Sequence, residues 1–211
     1  METGLQKGES FNAFEVGFLE YLLVVSPDAA VYDKVMQVKQ DFDDEYEEKI
    51  AVKSKPQIVI ATFIARERME ETIIKWIQRI CGLRNGFDVM LNNYSGFPNN
   101  KTIYIRVQDH KPFKRLAKDL GVIDEYVQSN DCPKARIIDK PHLTIARRLP
   151  AEVYEKAMMD YSQKIFHDFF PVRQLVLLRR DNEFGKYKTV NVFSLLPPDP
   201  NADGHQMNLF N

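Results

Sequence analysis

Lys55-Pro56-Gln57-Ile58-Val59-Ile60-Ala61 returns 85 positions later as Lys140-Pro141-His142-Leu143-Thr144-Ile145-Ala146. Residues two apart on an extended strand share a face, so the second copy presents an imidazole and a hydroxyl side by side. The first copy has Gln57 and Val59 in those places. The echo predicts two related strands, and its chemistry predicts that they are not equivalent.

Working outward, residues 58–63 read as a strand followed by a helix in which Ile73, Ile74, Trp76, Ile77, Ile80 and Cys81 recur at helical spacing. Upstream, Tyr21-Leu22-Leu23-Val24-Val25 is a short apolar run closed by the turn and cap signal Ser26-Pro27-Asp28. A helix is predicted from Asp28 to about residue 46, with Val31, Val35, Val38 and Phe42 on one face. Its acidic end, residues 41–48, reads as a solvated face. Strands at 87–91 and 102–107 follow, then a helix near 112–120.

After the second copy, read as a strand over 141–147, come a helix from 150 to about 166 and strands at 172–179 and 187–193, the last two joined by a hairpin. Strand, helix, strand, strand thus occurs twice. The predicted fold is α+β: a bilobal duplication with two antiparallel-rich sheets facing a central cleft and helices outside. Residues 13–196 form one domain on this reading, with flexible tails at 1–12 and 197–211.

The chain has 211 residues, 44% of them hydrophobic, enough for one large core. Its 29 basic and 30 acidic residues leave a net charge of −1, so any nucleic-acid contact must come from a local cluster. Two cysteines fit neither a disulfide framework nor a spaced metal site. No cleavable apolar leader or membrane-length run is present, and a cytoplasmic location is expected.

His142-Leu143-Thr144, preceded by Lys-Pro and followed by Ile-Ala-Arg-Arg, resembles the second signature of the two-histidine (2H) phosphoesterases, in the 2'-5' RNA ligase-like branch. The resemblance implies two His-x-Thr/Ser signatures facing each other across a cleft, acting on 2',3'-cyclic phosphates or 2',5' linkages of RNA without metal or cofactor. It makes His142 and Thr144 the catalytic candidates. The first signature is degenerate.

The chemistry explains why this matters. Opening a cyclic phosphate needs a proton removed at one oxygen and delivered at the opposing one, and two imidazoles titrating near 6.5 can do both. The threonines bond the non-bridging oxygens. Gln57 cannot exchange a proton in this range, although its amide can donate to phosphate, and Val59 can do neither. The alternative for His142, a satisfied core imidazole, is weakened by the cationic load of Lys140, Arg147 and Arg148 around a short buried strand. Strand parity puts Ala146 and Arg148 on the His142 row, making Arg148 a phosphate ligand beside Gln57 and Thr144. Phe97 and Phe184, in glycine-containing connections, are candidates for base stacking.

Three functions stay open at this point: an impaired phosphoesterase that binds RNA ends or cyclic phosphates, an active cyclic phosphodiesterase using one histidine, and an interaction module. The third rests on the terminal Gln206-Met207-Asn208-Leu209-Phe210, which resembles the Gln-x-x-Leu-Phe peptide that docks onto the bacterial DNA sliding clamp. No membrane partner is expected.

Overall fold

Residues 17–138, 140–182 and 184–198 are described by a computed structural model. In chain order the elements are β1 (Phe18–Val25), α1 (Ala29–Tyr46), α2 (Ile50–Lys53), β2 (Ile58–Arg66), α3 (Glu70–Cys81), β3 (Phe87–Phe97), β4 (Thr102–Val107), α4 (Lys111–Asp119), α5 (Gly121–Gln128), β5 (Arg136–Ile137), β6 (His142–Ala146), α6 (Ala151–Gln163), β7 (His167–Val172), β8 (Gln174–Arg180) and β9 (Lys188–Ser194). The strands pair antiparallel in the order β7-β3-β4-β6-β2-β1-β8-β9, with the short β5 beside β2. This is the expected α+β class, with the two expected sheets joined into one nine-stranded sheet where β2 and β6 pair at Ile58 and Leu143.

The repeat is visible in the hydrogen-bond register. Leu23 pairs with Ala61 and Val24 with Val59, which leaves Ile60 as an extra residue in a bulge of β2. On the other side Ile103 pairs with Ala146 and Tyr104 with Thr144, which leaves Ile145 as the extra residue of β6. Ile60 and Ile145 are equivalent in the repeat. β2 and β6 meet each other at Ile58 and Leu143, also an equivalent pair. A pseudo-two-fold axis therefore passes through Ile58 and Leu143 and relates β2 to β6 and β1 to β4.

The two halves interleave along the chain. The β3–β4 hairpin, which follows the first copy, joins β6, whereas the C-terminal pair β8–β9 joins β1. Element order alone does not specify this, because the partner of a hairpin is chosen by packing at long range. The strand β7 is a further departure from expectation. Helix α6 stops at Gln163, and buried Phe166, Phe170 and Val172 alternate with exposed His167, Phe169 and Pro171. A proline is tolerated there because β7 is at the sheet edge.

All the long helices cover one face of the sheet. Val31, Val35 and Phe42 of α1, Ile73 and Ile77 of α3, and Ala157 and Tyr161 of α6 bury themselves with Tyr21, Leu23, Ile58, Phe63, Leu143 and Leu177 of the strands. Each large apolar side chain so buried contributes about 1.5–3 kcal/mol. Asp28 caps α1 by accepting from the Val31 N–H at 3.0 Å. One polar group enters this layer: Lys39 is 0% exposed, and its Nζ donates to Ala51 O (3.0 Å), Ser54 Oγ (2.9 Å) and Ile145 O (3.1 Å). It ties α1 and the end of α2 to the bulge of β6. Burial first, and the Arg147 charge second, lower its pKa to about 8.

The C-terminal end of the described chain is fastened to the turn after α3. Gly86 N–H donates to Leu196 O at 2.8 Å, Leu196 N–H to Arg84 O at 2.8 Å, and Asn85 Nδ2 to Pro197 O at 2.6 Å. Gly86 has no room for a side chain, since a Cβ would sit 2.8 Å from Val172 O. The expected N-terminal tail, and Gln206, Leu209 and Phe210 of the expected docking peptide, lie outside the described residues. No helix among the described residues is long and apolar enough to cross a membrane.

Candidate functional site

Because Ile58 and Leu143 turn into the core as a pair, their neighbours Gln57, Val59, His142 and Thr144 turn to the opposite face. The antiparallel register sets Val59 across from His142 and Gln57 across from Thr144, on strands roughly 5 Å apart. The four positions singled out by the echo thus share one face around the pseudo-two-fold axis. That face is free of the long helices, and all four side chains are partly exposed.

His142 sits in an aromatic corner. Its ring lies 4.9 Å from Phe97, edge-on, and 5.0 Å from Tyr104, and those two rings stack on each other at 4.4 Å. Phe97 therefore packs on Tyr104 and His142 and helps enclose the imidazole. Nδ1 donates to Lys140 O at 2.8 Å, which fixes the ring and leaves Nε2 as the nitrogen able to accept a proton. Burial holds the His142 pKa below its ordinary 6.5; the Lys140 bond opposes this, and the Arg136 charge adds to it.

The sign of the linked stability effect follows. With its folded pKa lowered, His142 binds fewer protons folded than unfolded, so its contribution is fully present above pH 6.5 and is lost as pH falls through the folded value. Urea denaturation of wild type and His142→Gln is expected to give a stability difference that shrinks as pH drops below 6.5. A difference that stays constant from pH 7.5 to 5 would contradict this.

The bulge at Ile145 corrects the parity count for the arginines. It turns Ala146 into the core, at 1% exposure and paired with Ile103, instead of leaving it on the His142 row. β6 ends at Ala146, so Arg147 and Arg148 both lie past it and are exposed; alternation carried through the bulge favours Arg147, the equivalent of Thr62, for the open face. The strand has ended by Arg148, whose backbone is left-handed (φ 56°) and whose N–H donates to Asn100 O at 3.2 Å. The Arg147 charge adds to the lowering of the Lys39 pKa and opposes the rise that burial imposes on Tyr187. A bulge has no signature in a five-residue strand, which is why counting by two failed here.

Phe184 and the histidines His110 and His167 lie outside β2 and β6. Phe184 is 90% exposed in the β8–β9 connection. His110 immediately precedes α4 with its Nε2 3.0 Å from Val107 O, and His167 begins β7, four strands from β2 and so roughly 19 Å from the place where Gln57 stands. Neither takes the place of the missing imidazole. Arg136 was not legible from its neighbours in sequence: β5 pairs it with Thr62, on the same open face. A cavity of about 340 Å³ lined by Trp76, Ile80, Leu83, Arg84, Asp119 and Val122 lies among α3, α4 and α5. Two of its charged lining residues, Arg84 and Asp119, are committed to each other at 2.6 Å.

The model of the 2'-5' RNA ligase superfamily matches residues 27–183, a span that contains both copies of the echo. The chain belongs to that superfamily. Solved structures with the same fold include TT0787 of Thermus thermophilus (18% identity, TM-score 0.67, covering 85% of this chain and 100% of that one). Escherichia coli LigT complexed with NADP+ is also similar (16% identity, TM-score 0.63, covering 84% and 98%). LigT complexed with 3'-AMP is 12% identical, with a TM-score of 0.60, covering 84% and 98%. Comparison with curated protein sequences gave no match. At these identities the likeness establishes the fold, and the 2H phosphoesterase reading of the His142 motif agrees with the superfamily.

Proposed function

We propose that this superfamily member binds the phosphorylated ends of RNA or nucleotides on the β2–β6 face and turns over 2',3'-cyclic phosphates slowly or not at all. One observation carries the reading: the positions related by the axis are His142 and Thr144 on one side, and Gln57 and Val59 on the other. The half with His142 holds a proton acceptor, a hydroxyl donor and, after the bulge, the Arg147 guanidinium. The half with Gln57 offers an amide. A positioned general acid or base is worth about 10²- to 10⁴-fold, so losing one of two removes most turnover while hydrogen bonds to phosphate survive. LigT complexes with 3'-AMP, ATP and NADP+ support a nucleotide as ligand.

The test pairs binding with turnover. Calorimetric titration with adenosine 3'-monophosphate is expected to show binding that His142→Ala weakens at least tenfold, while hydrolysis of adenosine 2',3'-cyclic phosphate stays far below about 1 s⁻¹. Absence of nucleotide binding would contradict the proposal. A second reading, a one-histidine phosphodiesterase, is favoured by the lowered His142 pKa and the free Nε2, which suit a general base. Ordinary turnover that disappears in His142→Ala would select it.

A further inference from the structure

We propose that Arg136 gives the degenerate half a guanidinium of its own, and that the site is thereby matched to a terminal phosphomonoester, a 2'- or 3'-phosphate, over a 2',3'-cyclic phosphodiester. This rests on the reading of the β2–β6 face as a nucleotide-phosphate site.

The geometry comes from the register. The axis that carries His142 to Gln57 carries Arg147 to Thr62, where there is no charge. Thr62 is the residue across from which β5 places Arg136. Thr62 alternates with buried Ala61 and Phe63, so it belongs to the open face, and a directly paired residue shares that face. Arg136 is exposed and forms no ion pair with a described residue. Because Ile60 is bulged out, Thr62 and Val59, the residue across from His142, pair with Leu22 and Val24 of β1, two register steps or about 7 Å apart, a distance that a long arginine side chain can cover. After burial, the Arg136 charge is a further cause that holds the His142 pKa down. β5 has no counterpart in the other half, where the chain before β2 forms α2. Arg136 is thus an asymmetric addition, placed on the side that lost its signature.

The chemical consequence separates two jobs that an imidazole pair combines. A guanidinium is always charged and holds phosphate oxygens through fixed N–H groups, but it cannot pass a proton. Beside Arg106, which pairs with His142 and donates its Nε to Asn92 O at 3.0 Å, the site then keeps a cation on each half, Arg147 and Arg136, and has lost proton transfer on one. A cyclic phosphodiester carries one negative charge, whereas a phosphomonoester carries about 1.5 to 2 near pH 7. These guanidinium groups and one neutral imidazole favour the more highly charged and more richly accepting group.

The experiment is calorimetric titration, at pH 7.5 and constant ionic strength, of the full chain with adenosine 3'-monophosphate, adenosine 2'-monophosphate and adenosine 2',3'-cyclic phosphate. At least one monoester is expected to bind tenfold or more tightly than the cyclic ester. Arg136→Gln should bring that ratio close to one, mainly by weakening the monoester, and Arg136→Lys should restore part of it. Circular dichroism and thermal unfolding of the variants check that they fold; Arg136 is exposed, so they should. Equal affinities in wild type, or a ratio unchanged in a folded Arg136→Gln, overturn the role of Arg136 and leave the nucleotide site standing. No binding of any of the three overturns the site itself.

Discussion

Replacing Gln57 by His and Val59 by Thr together is expected to raise hydrolysis of 2',3'-cyclic phosphates by about 10²- to 10⁴-fold. The backbone is already in place: β2 and β6 carry their bulges at equivalent residues, and the four signature positions share a face around the Ile58–Leu143 pair. Neither substitution asks for a new conformation, since Thr replaces Val at nearly equal volume and the partly exposed Gln57 has space for an imidazole. Gln57→His alone should supply most of the gain, because it restores proton transfer, and Val59→Thr then adds a hydrogen bond to charge that develops in the transition state. Product formation from adenosine 2',3'-cyclic phosphate, followed chromatographically, is the measurement. A folded double variant that remains as slow as wild type would place the defect elsewhere than in these two side chains.

The second large effect is expected at Lys39. This ammonium is the only charged group among the described residues that is fully buried, and its three acceptors come from α2, from the segment after it and from the bulge carbonyl of Ile145. Lys39→Ala leaves those acceptors unpaired and opens a cavity, at a cost of about 3–5 kcal/mol in urea denaturation at pH 7. It also frees the bulge that turns Ala146 inward and Arg147 outward, so nucleotide affinity should fall although Lys39 does not line the open face. The pH dependence has a definite sign. With a folded pKa of about 8 against an ordinary 10.5, the folded protein releases this proton first, and wild type gains stability as pH rises between those values. The gap between wild type and Lys39→Ala should widen over that interval. A gap below about 1 kcal/mol, or one that narrows, would show that the three hydrogen bonds do not hold the bulge.

How much of this could be read in advance differs from residue to residue. That Gln57, Val59, His142 and Thr144 share a face was legible because the echo spans seven residues and strand alternation fixes which side chains lie together. Helix α1 was equally plain, from its cap at Asp28 and the spacing of Val31, Val35 and Phe42. What escaped depends on contacts far apart in sequence. The interleaving of the halves is decided by which strand edge a hairpin finds, and β7 carries a proline that marks a non-strand unless the edge position is known. Arg136 belongs to a two-residue strand whose meaning lies wholly in its partner Thr62. Counting by two along the strand favours Arg148 over Arg147, and the one bulge at Ile145 reverses that count.

The most direct measurement is a crystal structure of the full chain with adenosine 3'-monophosphate bound. The expected result is density for the phosphate on the β2–β6 face, within hydrogen-bond distance of His142 Nε2 and Thr144 Oγ1 and across from Gln57. A nucleotide seated instead in the cavity beside Trp76 and Leu83, with the His142 face empty, would contradict the assignment of the site.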